Sequence, residues 1–510
     1  MAFKFSILPV LILCLCCACN ADRFSVTRPE PAPEVVATPF TFPSLLALES
    51  INFDAGSNTQ ISSVVVDDQN NVYVLGSFIG GMDSVTTLNR DIFLLKLDTS
   101  GAILWKIHFN SSTTPISDAS LDETPSSMLW NKADDSIYFV GVTKSPFIEP
   151  NTTATNDLII AKVSSSGNLT WLKHFGETTQ NALRTSLANP ALNFSAIENA
   201  GHVKMSPAGD LIFSFDTEGS FFELSAGSAD VGVMKINKAN GNILSGVQIG
   251  SVTLAAWGAS KGVTVSGNQR EALNAGNFDF DRTLMVFPFR TSGATVESNA
   301  TVSNDAGYFI LNSDLTVNTI KQLGAESYAA WVGAGNFIGS VNGDNQFRSV
   351  VVNGPDDYLF YGKTSNDTTE ARQSTDYLFA RYVGNNLVSL KQYGIITMPS
   401  GTGSQEPRFM QKDEDGNIYC SGHTSGPLFE ALSGNLNPVI FRVNQDGVYQ
   451  NGSQLGAVTS VNLGMTDLHY AVIQSSNFII KDGKILSGIN NDPMTSGTTF
   501  NATLWSQDAP

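Results

Sequence analysis

The chain has 510 residues with 47 acidic and 29 basic side chains, a formal net charge of −18. That balance argues against nucleic-acid binding, which needs clustered Lys and Arg, and against lying flat on anionic lipid. Only 15% of residues are charged while Gly, Phe and β-branched residues abound, the composition of an all-β extracytoplasmic protein.

Residues 1–18 hold one base, Lys4, and then an apolar run from Phe5 to Leu15. The run is shorter than the roughly 20 residues a spanning helix needs and has the length of a signal-peptide core. Cys16-Cys17-Ala18-Cys19 follows, small residues ahead of a cysteine, and resembles a bacterial lipobox with Cys19 as the lipid-attachment residue. The lipobox leucine is replaced here by Cys16, and cleavage after Ala21 in ordinary secretion is the alternative. Residues 19–43 carry five prolines and little apolar pattern, the expected composition of an extended tether. Four of the five cysteines lie at 14, 16, 17 and 19, so the body has only Cys420, read as a buried, inert thiol.

From residue 44 to 510 one pattern recurs. In its clearest copy, 61–110, an apolar strand Ser63-Val64-Val65-Val66 meets a polar turn at 67–71 and a second strand, Val72-Tyr73-Val74-Leu75-Gly76. After a variable stretch comes Asp91-Ile92-Phe93-Leu94-Leu95-Lys96-Leu97, a turn at 98–101, and Ile103-Leu104-Trp105-Lys106-Ile107-His108-Phe109. Each run has strand length, and the Asp, Asn, Ser and Gly of the turns suit hairpins. The second strand returns at 137–141, 358–362, 418–422 and 485–488, and more weakly at 211–215. Asp91, Asp157, Asp230, Asp305 and Asp376 head the third strand, expected to bond backbone amides there; Lys96, Lys162, Lys235 and Arg381 follow five residues on. The fourth strand ends polar–apolar–Gly at His174-Phe175-Gly176, Gln248-Ile249-Gly250, Gln322-Leu323-Gly324, Gln392-Tyr393-Gly394 and Gln454-Leu455-Gly456. His108-Phe109-Asn110 is a variant, and Asn52-Phe53-Asp54 is a seventh copy at the N-terminus.

The last segment, 468–505, has three strands and no fourth; the strand at 45–54 is expected to supply it. Seven fourth strands predict an all-β fold: a single seven-bladed β-propeller of four-stranded antiparallel blades, closed by the N-terminal strand. Blade four is the most irregular, its second strand being placed near 271–280.

Residues 70–76 carry Asn-Val-Tyr-Val-x-Gly, 91–101 carry Asp-x-Phe-x-x-Lys-Leu-Asp-x-x-Gly, and 157–176 carry Leu169-Thr170-Trp171 and Phe175-Gly176; with 104–109 these resemble the motifs of the bacterial seven-bladed β-propeller repeat proteins. The resemblance implies the fold and a place in the cell envelope, with lipid anchoring in the outer membrane. It implies no one activity.

Short turns at 67–71, 98–101 and 413–417 fall on one face of such a ring. The long stretches 78–90, 144–156, 177–197, 281–303, 325–346 and 424–436 fall on the other. Binding is expected on that long-loop face, with Trp257, Trp331 and Phe337 as candidate contacts and Phe221 and Phe222 nearby. The five histidines are scattered, and no zinc spacing, nucleophile elbow, phosphate loop or calcium loop occurs, so no catalytic residue, metal or cofactor is assigned. The expectation is a monomeric, non-enzymatic envelope lipoprotein, held to the membrane by its lipid, that binds a protein or glycan. The alternatives are a propeller enzyme (glycosidase, lyase or lactonase) with its site at the central channel, and a scaffold subunit of an outer-membrane assembly.

Overall fold

The computed structural model describes residues 39–48, 57–82, 85–109, 121–146, 148–151, 155–186, 198–223, 229–262, 271–273, 276–292, 304–324, 327, 330–331, 344–365, 375–394, 403–429, 436–455, 471–472, 477–491 and 501–510. Seven antiparallel sheets follow one another along Phe40–Pro510 and close into a seven-bladed β-propeller. Blade 1 comprises Asn58–Val66, Val72–Met82, Val85–Leu97 and Ile103–Phe109, and blade 2 Glu123–Asn131, Ser136–Thr143, Asp157–Ser164 and Leu169–Phe175. Blade 3 is Glu198–Met205, Leu211–Thr217, Asp230–Ile236 and Ile243–Ile249. Blade 5 is Asn345–Gly354, Asp357–Thr364, Asp376–Val383 and Asn386–Tyr393; blade 6 is Gln405–Lys412, Ile418–Thr424, Asn437–Val443 and Tyr449–Gln454.

Blade 4 departs from its sequence reading. Glu271–Ala272 and Asp279–Asp281 are both pieces of its first strand, and its second is Leu284–Thr291, inside the stretch 281–303 expected to be a loop. Pro288 and Arg290 hid that strand, because they break the apolar run and the closing Gly is missing. The stretch 78–90 is likewise strand to Met82 and again from Val85, so Asp91 lies within a strand rather than at its head. Two helices, α1 (Glu177–Ser186) and α2 (Ser251–Lys261), follow the fourth strands of blades 2 and 3, where loop was expected.

The N-terminal strand closes the ring as expected. Leu45–Ala47 pairs antiparallel with Asn501–Asp508, outside the two inner strands of blade 7, in the register Leu45↔Trp505 and Ala47↔Thr503. Asn52-Phe53-Asp54 lies outside the described residues. Phe40 and Leu48 are buried in the cluster shared by blades 7 and 1. The backbone N–H of Phe40 donates to Asp482 Oδ2 at 2.6 Å, in the turn between the first two strands of blade 7. Gly101, in the short turn of blade 1, has φ 85°, and a Cβ there would stand 2.9 Å from Leu46 Cδ2. The chain therefore enters the ring on the short-turn face.

The middle strands are buried along their whole length, as in Ser136–Thr143 and Leu211–Thr217, because neighbouring blades cover both sheet faces. The outermost strands mix partly buried and exposed positions. This is why strands two and three read as unbroken apolar runs. Innermost strands are latched by one repeated contact. Ser63 Oγ accepts the Met128 N–H at 3.2 Å, Ser127 Oγ the Val203 N–H at 3.4 Å, and Ser349 Oγ the Met410 N–H at 3.0 Å. Asn477 Oδ1 accepts from Ser63 Oγ and Val64 N–H across the closing seam.

The bases of the third strand tie the short-turn face together. Lys162 pairs with Asp134 at 2.9 Å within its blade. Lys96 and Lys235 pair with Asp67 and Asp210, and each also donates to a backbone carbonyl of the next blade, Ser165 O or Ser313 O. Arg381 makes a two-pronged contact with Asp357 and reaches Asp446 of blade 6.

Candidate functional site

The third-strand aspartates find side-chain partners, which corrects the expectation that they bond backbone amides. Gln248 Nε2 donates to Asp230 Oδ2 at 2.7 Å, Gln322 to Asp305 at 2.8 Å and Gln392 to Asp376 at 2.7 Å. His108 and His174 fill the same slot, each Nε2 standing 3.0 and 2.9 Å from Asp91 and Asp157. The conserved spacing of the fourth-strand ending now has a cause. A Cβ on Gly250 or Gly394 would come 2.3 Å from the carboxylate of Asp230 or Asp376.

The same slot pins the long loops. Gln248 Oε1 accepts the N–H groups of Phe221 and Phe222 at 2.9 and 3.1 Å, and Gln454 Oε1 those of Leu428 and Phe429, both at 3.0 Å. His174 Nδ1 accepts those of Ile148 and Glu149, which places its own proton on Nε2, toward Asp157. Glu149 then caps α1, accepting Thr179 N–H at 2.8 Å, and Glu223 caps α2, accepting Thr253 N–H at 3.0 Å. Burial pushes the Glu223 carboxyl up from its ordinary range and Asp230 up to about 7. These acids anchor described segments of the long-loop face.

Of the expected contact residues, Phe337 lies outside the described residues. Trp257 stands on α2, half-buried against blades 3 and 4. Trp331 packs against the cluster of blades 4 and 5 and lines a groove of about 520 Å³ with Lys321 and Gln322 and with Tyr382, Asn385 and Asn386 at the short turn of blade 5, so the groove runs along the blade edge rather than lying wholly on the long-loop face. Phe221 is fully buried and Phe222 packs beside it, so both fasten a loop. Leu88 and Ile148 are exposed apolar tips on this face. Cys420 is buried, and burial pushes its thiol far up.

Sequence reading missed a cluster between blades 5 and 6. The first strand of a blade starts at the long-loop face and the second ends there, so Arg348, Lys363, Glu406, Arg408 and His423 all lie toward that face. Arg348 Nη2 contacts Glu406 Oε1 at 2.6 Å, and Lys363 Nζ contacts Glu406 Oε2 at 2.6 Å. These two cations hold the Glu406 carboxyl below its ordinary value despite burial. Arg408 makes no hydrogen bond or ion pair among the described residues, and the Nε atoms of Arg348 and Arg408 are buried without acceptors. Burial, then the Arg348 charge, push Arg408 down to about 10. Burial and the nearby Arg408 push His423 down to about 3, so its imidazole is neutral. Tyr361 and Tyr377 reach across from blade 5 to donate to Ser421 O and His423 O, both at 3.1 Å.

Both arginines occupy β-bulges. Phe347 pairs with Gly362 and Ser349 with Tyr361, so Arg348 is the extra residue; Pro407 pairs with Gly422 and Phe409 with Ser421, so Arg408 is. A bulge re-aims its side chain out of the pleat. Blades 1 and 2 bulge at the same place with Ser62 and Ser126. The ring centre is filled at this level: His202 of blade 3 stacks on Phe409 of blade 6 at 5.9 Å, and Asn277 of blade 4 donates to Met410 O at 3.3 Å.

The architecture defines the class: a seven-bladed β-propeller with one built-up face. No family model and no curated protein matches the chain. Among solved structures it is similar to a protein of unknown function from Dyadobacter fermentans, 11% identical over 92% of this chain and all of that one, TM-score 0.38. It is also similar to a PL25 ulvan lyase (8% identical, 88% of this chain, 95% of that one, TM-score 0.42) and to Drosophila Plexin A in complex with Semaphorin 1b (7%, 92%, 87%, TM-score 0.37). Likenesses this distant carry no argument about activity, and the fold rests on the strand pairing itself.

Proposed function

We propose that the chain is an envelope lipoprotein, anchored through Cys19, whose propeller binds a protein or glycan partner on its long-loop face without chemistry of its own. One observation carries this reading. Both helices and the described loop segments follow the strand ends of a single face, and a repeated Asp–Gln/His clasp together with two Glu caps ties those segments to the blades. Rigid presentation lowers the ordering cost of binding.

Two experiments test the two halves. Metabolic labelling with palmitate should mark the wild-type chain and not Cys19→Ser, and the variant should leave the membrane fraction; equal labelling would refute the anchor. The purified mature chain is then titrated with a panel of envelope glycans and soluble envelope proteins. Trp257→Ala and Trp331→Ala should weaken the bound member, whereas Leu104→Ala and Leu244→Ala, exposed on outer strands near the short turns, should not. The reverse pattern would refute the face.

A further inference from the structure

We infer that Arg408 and Arg348 form a binding fork for an oxyanion, a carboxylate or sulfate carried by an acidic ligand that enters from the long-loop face. The inference deepens the binding role proposed above and rests on it.

The argument begins with cost. An ionised group taken partly out of water is destabilising unless it is paired. Arg408 is partly buried, has no ion pair or hydrogen bond among the described residues, and stands close enough to Arg348 for the two like charges to repel. Arg348 and Lys363 already share Glu406, so among the described residues three cations face one carboxylate. The neighbouring histidine contributes no negative charge, and the tyrosine hydroxyls are committed to backbone carbonyls. A local excess of positive charge in a chain of net charge −18 is not a general property of this surface.

Geometry points the same way. Adjacent blades place an arginine at the same bulged position, where blades 1 and 2 have serine. Among the described residues both Nε–H donors lack acceptors. Arg408 can offer its Nε–H and an Nη–H side by side, the arrangement that fits two oxygens of a planar carboxylate or of a sulfate, and Arg348, whose Nη2 is held by Glu406, adds its Nε–H. His202 and Phe409 fill the ring axis at the same level, so an anion reaches the fork from the long-loop side. The bound oxyanion would complete the hydrogen bonds the fork lacks and relieve the repulsion between its two cations.

The test titrates the full mature chain with sodium D-glucuronate, inorganic sulfate and inorganic phosphate, with glucose as the neutral control, by calorimetry at low salt. At least one oxyanion should bind, glucose should not, and affinity should fall as salt rises. Glucuronate binding best would assign a carboxylate, and sulfate or phosphate binding best an inorganic-type oxyanion. Arg408→Met should weaken binding by about tenfold or more, since a hydrogen bond to a charged group is worth roughly 1.5–3 kcal/mol. Arg408→Lys should recover part of it. Without ligand, Arg408→Met should melt no lower than wild type, because it removes an unpaired cation. Equal binding by wild type and Arg408→Met, or no oxyanion binding at millimolar concentration, would overturn the fork. A neutral partner on the long-loop face, found in the glycan and protein panel and indifferent to Arg408→Met, would overturn the fork while leaving the binding role standing.

Discussion

Glu123 gives a sharp test of how the blades are joined. It begins the innermost strand of blade 2 and is buried against Asp91 of blade 1, with its carboxyl also accepting from Thr143 and Ser145 hydroxyls. Burial, opposed by the Ser145 hydrogen bond and helped by the Asp91 charge, pushes Glu123 up from 4.5 to about 8. The folded state therefore keeps a proton that the unfolded chain releases above pH 4.5. By linkage, stability falls as pH rises from about 4.5 and levels off above about 8. One pKa unit is about 1.4 kcal/mol, so the loss by pH 7 is at most about 3 kcal/mol. Glu123→Gln keeps the shape and donates to Asp91 without ionising; blades 5 and 6 already start with the amides Asn345 and Gln405. The variant should match wild type at pH 4.5 and gain stability toward pH 8. With roughly 2 cal/mol/K of unfolding entropy per residue, the melting temperature at pH 7 should rise by up to about 3 °C. Calorimetric melting of both proteins from pH 4.5 to 8.5 measures it. A variant less stable at pH 7, or a difference that stays flat with pH, would refute a protonated Glu123.

Gly394→Ala should cost at least about 2 kcal/mol, because its Cβ would stand 2.3 Å from the Asp376 carboxylate, whereas Gly354→Ala, with nothing within 4 Å, should be nearly neutral in urea unfolding. Gln248→Ala should free the Phe221 and Phe222 amides, speeding their hydrogen exchange by about tenfold or more and leaving those of Leu428 and Phe429 unchanged. Uniform exchange across both loops would contradict the clasp. Deleting residues 40–48 removes two buried apolar side chains and the outer strand of blade 7. Its melting temperature should fall by about 5 °C or more, and an unchanged melt would mean that the N-terminal strand does not close the ring.

The ring was legible because a blade repeats its chemistry. Strands two and three are covered on both faces, so they carry unbroken apolar runs such as Ile137-Tyr138-Phe139-Val140, and the Gly after strand four makes room for an aspartate. Both signals survive from blade to blade. What each repeated polar residue touches was not legible. The Asp row and the His/Gln row stand 16 to 18 residues apart in sequence, and only the third-to-fourth strand register makes them partners. Blade 4 hid its second strand because Pro288 interrupts the run that marks the others.

The sequence by itself therefore determined the strand pattern, the number of blades and the closing role of the N-terminal segment, since these follow from local periodicity and turn chemistry. Only the tertiary structure brought together the charged cluster on which the oxyanion proposal rests. Arg348 and Arg408 sit in innermost strands, where a bulge breaks the two-residue period and erases the pattern that would have drawn attention to them. An aligned reading of the first strands shows the signal, arginine where Ser62 and Ser126 stand in blades 1 and 2. That Arg408 has no hydrogen bond or ion pair among the described residues depends on which charges the ring packing brings near it, and those come from four separate strands of two blades.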